Sequence, residues 1–232
     1  MTELFGFKSV VGALAATALL AGCGGAGATP ATAPAGAPAL PATMPAATGN
    51  LLYVADLNNN DVYVYTFPGG VLKRTLTGFQ VPHSECVDAA GDVFVSDGGK
   101  SEVLEYRHGG RRPIQTFKDP NYFTQGCAVD PVTGDLAVSG ASEGSGPSSI
   151  AIYRHAQKGT PTMVGTPNVF RVYFIGYDAK GDLFVDGTDM HVGFEFAEIP
   201  AGGKPAKAIT LQQSINLPGA VQWDGKHLAV GD

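Results

Sequence analysis

Charged residues make up only 16% of the 232-residue chain, and Lys plus Arg total 15 against 21 Asp plus Glu. The net charge of -6 gives no basic footprint for nucleic acid, which favours a concentrated Lys/Arg patch. The adjacent basic pairs Arg111-Arg112 and Lys73-Arg74 read as solvated turn or strand faces. Only 3 Cys and 1 Trp are present, which excludes a disulfide-dense miniature scaffold. No nucleophile elbow, zinc-binding His pair, Walker motif or other phosphate loop occurs. The one apolar run near the N-terminus, Ser9 to Leu20, is too short to cross a bilayer as a stable helix. What the chain has in quantity is Gly (32) and Pro (16), a composition suited to short strands and frequent turns.

Three segments follow from this. Residues 1–22 have a short n-region with Lys8, a small-residue and apolar h-region, and the ending Leu20-Ala21-Gly22-Cys23. That ending resembles the bacterial lipobox. The resemblance implies that the Cys23 thiol takes a lipid and becomes the new N-terminus, tying the protein to the membrane. Two or three acyl chains give stable anchoring at about 0.8 kcal/mol per buried methylene. A residue other than Asp after the lipid-bearing Cys, here Gly24, implies export to the outer membrane of the cell envelope. An ordinary secretory peptide with an incidental Cys is the alternative.

Residues 23–49 form a tether without charge or aromatic residues, with Pro at 30, 34, 38, 41 and 45. Such a segment cannot bury enough apolar surface to offset its ordering entropy. Fully extended, it reaches about 80 Å.

Residues 50–232 are repetitive. The strand cores around Val54, Val95, Val138, Val185 and Val230 recur every 41 to 47 residues, the spacing of a four-stranded propeller blade. An Asp and a Gly-containing turn precede each complete unit's recurring strand, as in Asp88 to Gly91 and Asp178 to Gly181. An alternating strand follows, such as Asp61 to Tyr65 and Ser149 to Tyr153. A Gly/Pro turn then leads to a fourth strand. Lettering the strands A to D from the inside out, the best-formed unit has A near Ser84 to Asp88, B at Val93 to Asp97, C at Glu102 to Tyr106 and D at Ile114 to Phe117. The fold class is all-β, an incomplete propeller of about four blades plus the start of a fifth.

The pattern Val87-Asp88, Gly91-Asp92, Val93 to Asp97 and Val103 to Tyr106 resembles the NHL repeat of bacterial propellers, including the six-bladed gluconolactonase/regucalcin-like type. The first unit lacks strand A and the last ends after B, at Asp232. The expectation is a C-terminally truncated ring with one to three further blades. A small ring in which Gly219 to Trp223 closes the first blade is the alternative.

The candidate site lies at the top mouth of the channel, where D–A and B–C loops meet in propellers. It offers His83, Glu85, Gln125 and Tyr173 from strand A and its approach, and Asp56, Asn58, Asn59, Asp97, Lys100, Asp189 and His191 from the B–C loops. His83 and Glu85 are spaced i and i+2 on a strand, so both are expected on one face, as a metal or acid/base pair requires. The plainer reading is a solvated pair beside Pro82. Asp56, Asp97 and Asp186 read as ends of equivalent B strands, where Asp commonly binds its own turn. Resemblance to the lactonases implies a divalent cation held by a Glu and several Asn/Asp groups. Glu85 fits the Glu; no motif places the rest. Resemblance to streptogramin-type lyases implies a catalytic His and metal ligands that are likewise unplaced.

Cys86 and Cys127 fall in strand A of neighbouring blades. They either bridge, as an exported compartment permits, or sit as small buried core residues. The resulting expectation is a lipid-anchored binding or scaffold protein with a small-molecule or protein ligand. A metal-dependent lactonase or lyase at the channel mouth is the alternative.

Overall fold

The computed structural model describes residues 49–121, 123–142, 147–166 and 168–232. Cys23, the signal segment and nearly all of the tether lie outside them. The described chain forms five antiparallel sheets, here blades I to V.

Blade I comprises β1 (Leu51–Asp56), β2 (Asp61–Thr66) and β3 (Leu72–Leu76). Blade II comprises β4 (Pro82–Val87), β5 (Val93–Asp97), β6 (Glu102–Tyr106) and β7 (Pro113–Lys118). Blade III comprises β8 (Phe123–Val129), β9 (Leu136–Ala141), β10 (Ser149–Tyr153) and β11 (Thr162–Gly165). Blade IV comprises β12 (Arg171–Tyr177), β13 (Leu183–Thr188), β14 (Phe194–Ile199) and β15 (Lys207–Ala208). Blade V is the pair β16 (Val221–Trp223) and β17 (Leu228–Val230). Strand order within every blade is the order of the sequence. Three four-stranded blades flanked by a three-stranded sheet and a pair match the expected fold class. β16 pairs with β17 and packs beside β12 of blade IV, so it does not complete blade I. β15 is only two residues long, and β4 begins two residues before the expected Ser84.

Alternation decides which way each strand faces. In β2, Val62 and Val64 are fully buried while Asp61, Tyr63 and Tyr65 on the other face are only partly covered. Val62 and Val64 pack against Val93 and Val95 of β5, forming the blade I–II layer. Phe94, Val103 and Phe117 meet Cys127, Val138 and Tyr153 between blades II and III. Ile150 and Ala137 meet Val172, Ile175 and Val185 between blades III and IV. Blades II and III therefore bury both faces, which is why their B strands read as continuous apolar runs. The opposite face of blade I leaves Leu52, Val54 and Leu72 exposed.

The turns repeat with the strands. Asp88 accepts from the amides of Ala90 (2.9 Å) and Asp92 (2.8 Å), and Asp178 from Lys180 (2.8 Å) and Asp182 (3.0 Å). The glycine closing each turn needs the left-handed region, with φ of 82° at Gly91 and Gly181, which any side chain would resist. A second Asp then holds the C–D turn of the same blade. Asp92 accepts from the His108 amide (3.2 Å) and the Arg107 guanidinium (2.8 Å), Asp135 from the His155 amide (2.8 Å), and Asp182 from the Ala201 amide (2.7 Å).

Candidate functional site

Strand A of every four-stranded blade carries a bulge at the same place. Pro82 and Ser84 pair with Asp97 and Ser96, leaving His83 extra; the register also shifts between Thr124 and Gly126 and between Val172 and Ile175. Two residues of strand A thus face one of strand B: Ser96, Ser139 and Asp186 in turn. A bulge re-aims the side chains around it, and this separates His83 from Glu85. The His83 ring packs edge-on against Phe123 of blade III, with centroids 5.1 Å apart, and burial lowers its pKa. Glu85 lies opposite Val95, a residue of the blade I–II layer, and faces blade I, where the Ala55 backbone favours its charged form. The expectation that spacing i and i+2 places both on one face fails because the extra residue intervenes.

Asp97, the third candidate ligand, is fully buried. One of its oxygens takes the amides of Gln80 (3.0 Å) and Val81 (2.8 Å), and Lys100 lies 3.7 Å from the other. It fastens the loop that enters its own blade rather than facing the channel with a free lone pair. Asp232 does the same in blade V, accepting from Asn216 (2.9 Å) and Leu217 (3.2 Å). In blade III this position is Gly140, and the carboxylate comes from the loop instead. Asp119 sits over Gly140, where a Cβ would lie 2.5 Å from its oxygen, and accepts from the Asn121 amide and the Thr124 hydroxyl (both 2.9 Å). Asp56 caps its own turn through Asn58 and Asn59, and Asp189 does so through His191 and Gly193.

Asp186 is not the equivalent of Asp97. It lies one residue earlier, in register with Ser96 and Ser139, and so faces the next blade. Its Oδ1 accepts from the Phe174 amide at 2.8 Å, and its Oδ2 is buried without a partner. Desolvation raises its pKa to about 7, offset in part by the Phe174 and Gly219 amides. Ser139 at the same position donates to the Tyr173 carbonyl and accepts from the Gly126 amide. Glu85 resembles Asp186. Its Oε1 is sealed and unpartnered although part of the residue is exposed, and desolvation raises its pKa to about 7. Among the described residues, no three His, Cys, Asp or Glu side chains gather as a metal would need.

Cys86 and Cys127 form a disulfide joining β4 to β8, with Cα atoms 5.7 Å apart. They sit in the blade II–III layer, on the face of β4 opposite to Glu85.

Sequence reasoning missed a cavity of about 520 Å³ at the edge of the blade III–IV layer, on the face bearing the A–B and C–D turns. Ile152, Tyr177, Leu183 and Ile199 line it, and Lys180 and Lys204 stand at its rim. Its parts come from turns far apart in sequence, so no local motif announces it.

Solved structures share this arrangement. Virginiamycin B lyase from Staphylococcus aureus superimposes with a TM-score of 0.58 at 14% identity, over 77% of this chain and 58% of that one. Kuenenia stuttgartiensis hydrazine synthase gives 0.62 at 15% identity, over 78% and 58%. A chain of a nidogen/laminin complex gives 0.64 at 19% identity, over 78% and 67%. The fold is that of a β-propeller. At these identities the likeness is one of fold alone, and the chain spans 58% of the lyase's length. No protein-family model and no curated protein sequence matches it.

Proposed function

We propose that this chain is an exported propeller, anchored to the outer membrane by lipid on Cys23, that acts by binding a ligand rather than by converting one. The observation that carries this reading is how the channel-mouth polar groups are used. Asp97 holds two loop amides, His83 packs on Phe123, and Glu85 turns to Ala55 of blade I. Groups committed to the framework in three directions do not meet at one reacting atom, as acid/base or metal chemistry requires. The lipobox-like ending and the Pro-rich tether support the anchored location.

The second reading is a metal-dependent lactonase or lyase. It is favoured by the sealed, unpartnered Oε1 of Glu85, an oxygen that a divalent cation could use. Two assays separate the readings. In a Gram-negative host, palmitate should label the wild-type chain but not Cys23→Ser; an unlabelled wild type overturns the anchor. Hydrolysis of a simple lactone that requires added divalent cation and is lost in Glu85→Gln would overturn the binding reading.

A further inference from the structure

The cavity between blades III and IV has the size and composition of a small-molecule site. Its roughly 520 Å³ falls within the range of about 300–1,000 Å³ usual for such pockets. Its walls are Ile152, Leu183 and Ile199, and its rim includes Val132 and Met163, which are 63% and 44% exposed. Apolar side chains left open at the lip of a cavity mark a surface suited to an apolar ligand.

The charges at the cavity are unequal in availability. Asp130 already accepts from the Val132 amide (2.8 Å) and the Thr133 hydroxyl (2.7 Å), and Asp135 accepts from the His155 amide (2.8 Å). Lys180 and Lys204 are exposed and have no ion pair among the described residues, whereas Lys100, Lys118 and Lys207 each have one. Tyr177 adds a phenol on the wall. Burial raises its pKa, as do the nearby carboxylates of Asp130 and Asp135, so it stays protonated and able to donate. The Asp130 and Asp135 carboxylates carry charge but are tied to the turns, so the groups left to meet a ligand are two lysines at the rim and a phenol on the wall, with hydrocarbon between.

We infer that this cavity binds a small amphipathic organic anion, its apolar body along Ile152, Leu183 and Ile199 and its anionic head on Lys180 and Lys204. The inference deepens the binding reading and rests on it for biological meaning. The physical site depends only on blades III and IV.

The test is a fluorescence titration of the full chain with 8-anilinonaphthalene-1-sulfonate, with competition by decanoate. Val164 lines the cavity and pairs with Ile150 of the blade III–IV layer, so it shares the face that meets blade IV, and Val164→Trp puts bulk into the space. The expected result is one saturable site, displaced by decanoate but not by decylamine. Lys180→Ala/Lys204→Ala should weaken binding about tenfold, a scale set by about 1.4 kcal/mol per tenfold. The double Arg replacement should restore it, and Val164→Trp should abolish it. Leu72→Ser, on the exposed face of blade I, should leave it unchanged. Circular dichroism confirms that each variant is folded. Absence of saturable binding, or binding indifferent to either Val164→Trp or the lysine pair, overturns the inference. Neither result bears on Cys23 labelling. Divalent-dependent turnover would refute the binding reading even with this cavity occupied.

Discussion

Reduction of the Cys86–Cys127 disulfide should destabilise the propeller more than any single hydrogen bond does. The bridge joins residues 41 apart in sequence and pins the inner strands of blades II and III together. In the chain-entropy description, closing a loop of that length removes about 4 kcal/mol of freedom from the unfolded chain, between the values for 15- and 100-residue loops. The bridge lies in a packed layer with Phe94, Phe117 and Tyr153, where the ring centroids of Phe117 and Tyr153 are 5.1 Å apart. Breaking it therefore changes the unfolded reference more than the native packing. At roughly 2–4 °C per kcal/mol for a domain of this size, the melting temperature should fall by about 8–16 °C. The measurement is thermal unfolding of one preparation with and without a phosphine reductant, followed by circular dichroism. Thiol titration of the denatured chain accompanies it, and two more thiols should appear after reduction. Coincident melting curves would refute the entropic reasoning. An unchanged thiol count would refute the bridge itself.

Two further perturbations probe the buried carboxylates. Asp97→Ala leaves the Gln80 and Val81 amides without their acceptor and should cost about 2–4 kcal/mol by urea titration. Asp97→Asn retains an oxygen and should cost markedly less, and equal losses would refute the acceptor role. Glu85 has a folded pKa of about 7 against an ordinary 4.5, so the unfolded chain gives up this proton first. The carboxyl's contribution is intact below about pH 4.5, falls as pH rises, and is lost above about 7, at roughly 3 kcal/mol. Asp186, raised from 3.8 to about 7, acts in the same direction. Glu85→Gln and Asp186→Asn should each flatten the decline in stability between pH 5 and pH 8, and an unchanged slope in both would contradict the buried placement.

The repeat was legible because burial of both blade faces imposes an apolar B strand, and the turns need Asp and Gly at fixed offsets. Val95, Val138 and Val185 are fully buried for that reason, and Val54 and Val230 keep the equivalent positions in the two outer sheets. What alternation could not convey was the bulge in strand A of each four-stranded blade. One extra residue leaves composition untouched but turns His83 towards blade III and Glu85 towards blade I. The same single-residue ambiguity made Asp186 look like Asp97, although it faces the next blade and Asp97 fastens a loop. In blade III the loop-holding carboxylate moved to Asp119 and left Gly140 in its place, an exchange that sequence position alone conceals. The pairing of Cys86 with Cys127 stayed open because register between neighbouring blades is set by packing. The cavity escaped notice since Lys180, Lys204, Ile152 and Ile199 meet only after two blades stack.

Where a bound ligand sits is the most direct test of this account. The measurement is a crystal structure of the full chain soaked with 8-anilinonaphthalene-1-sulfonate. The account predicts density against Ile152, Leu183 and Ile199, with the sulfonate on Lys180 or Lys204, and unchanged contacts at His83, Glu85 and Asp97. Density at the channel mouth among His83, Glu85 and Asp97, with the cavity between blades III and IV left open, would contradict it.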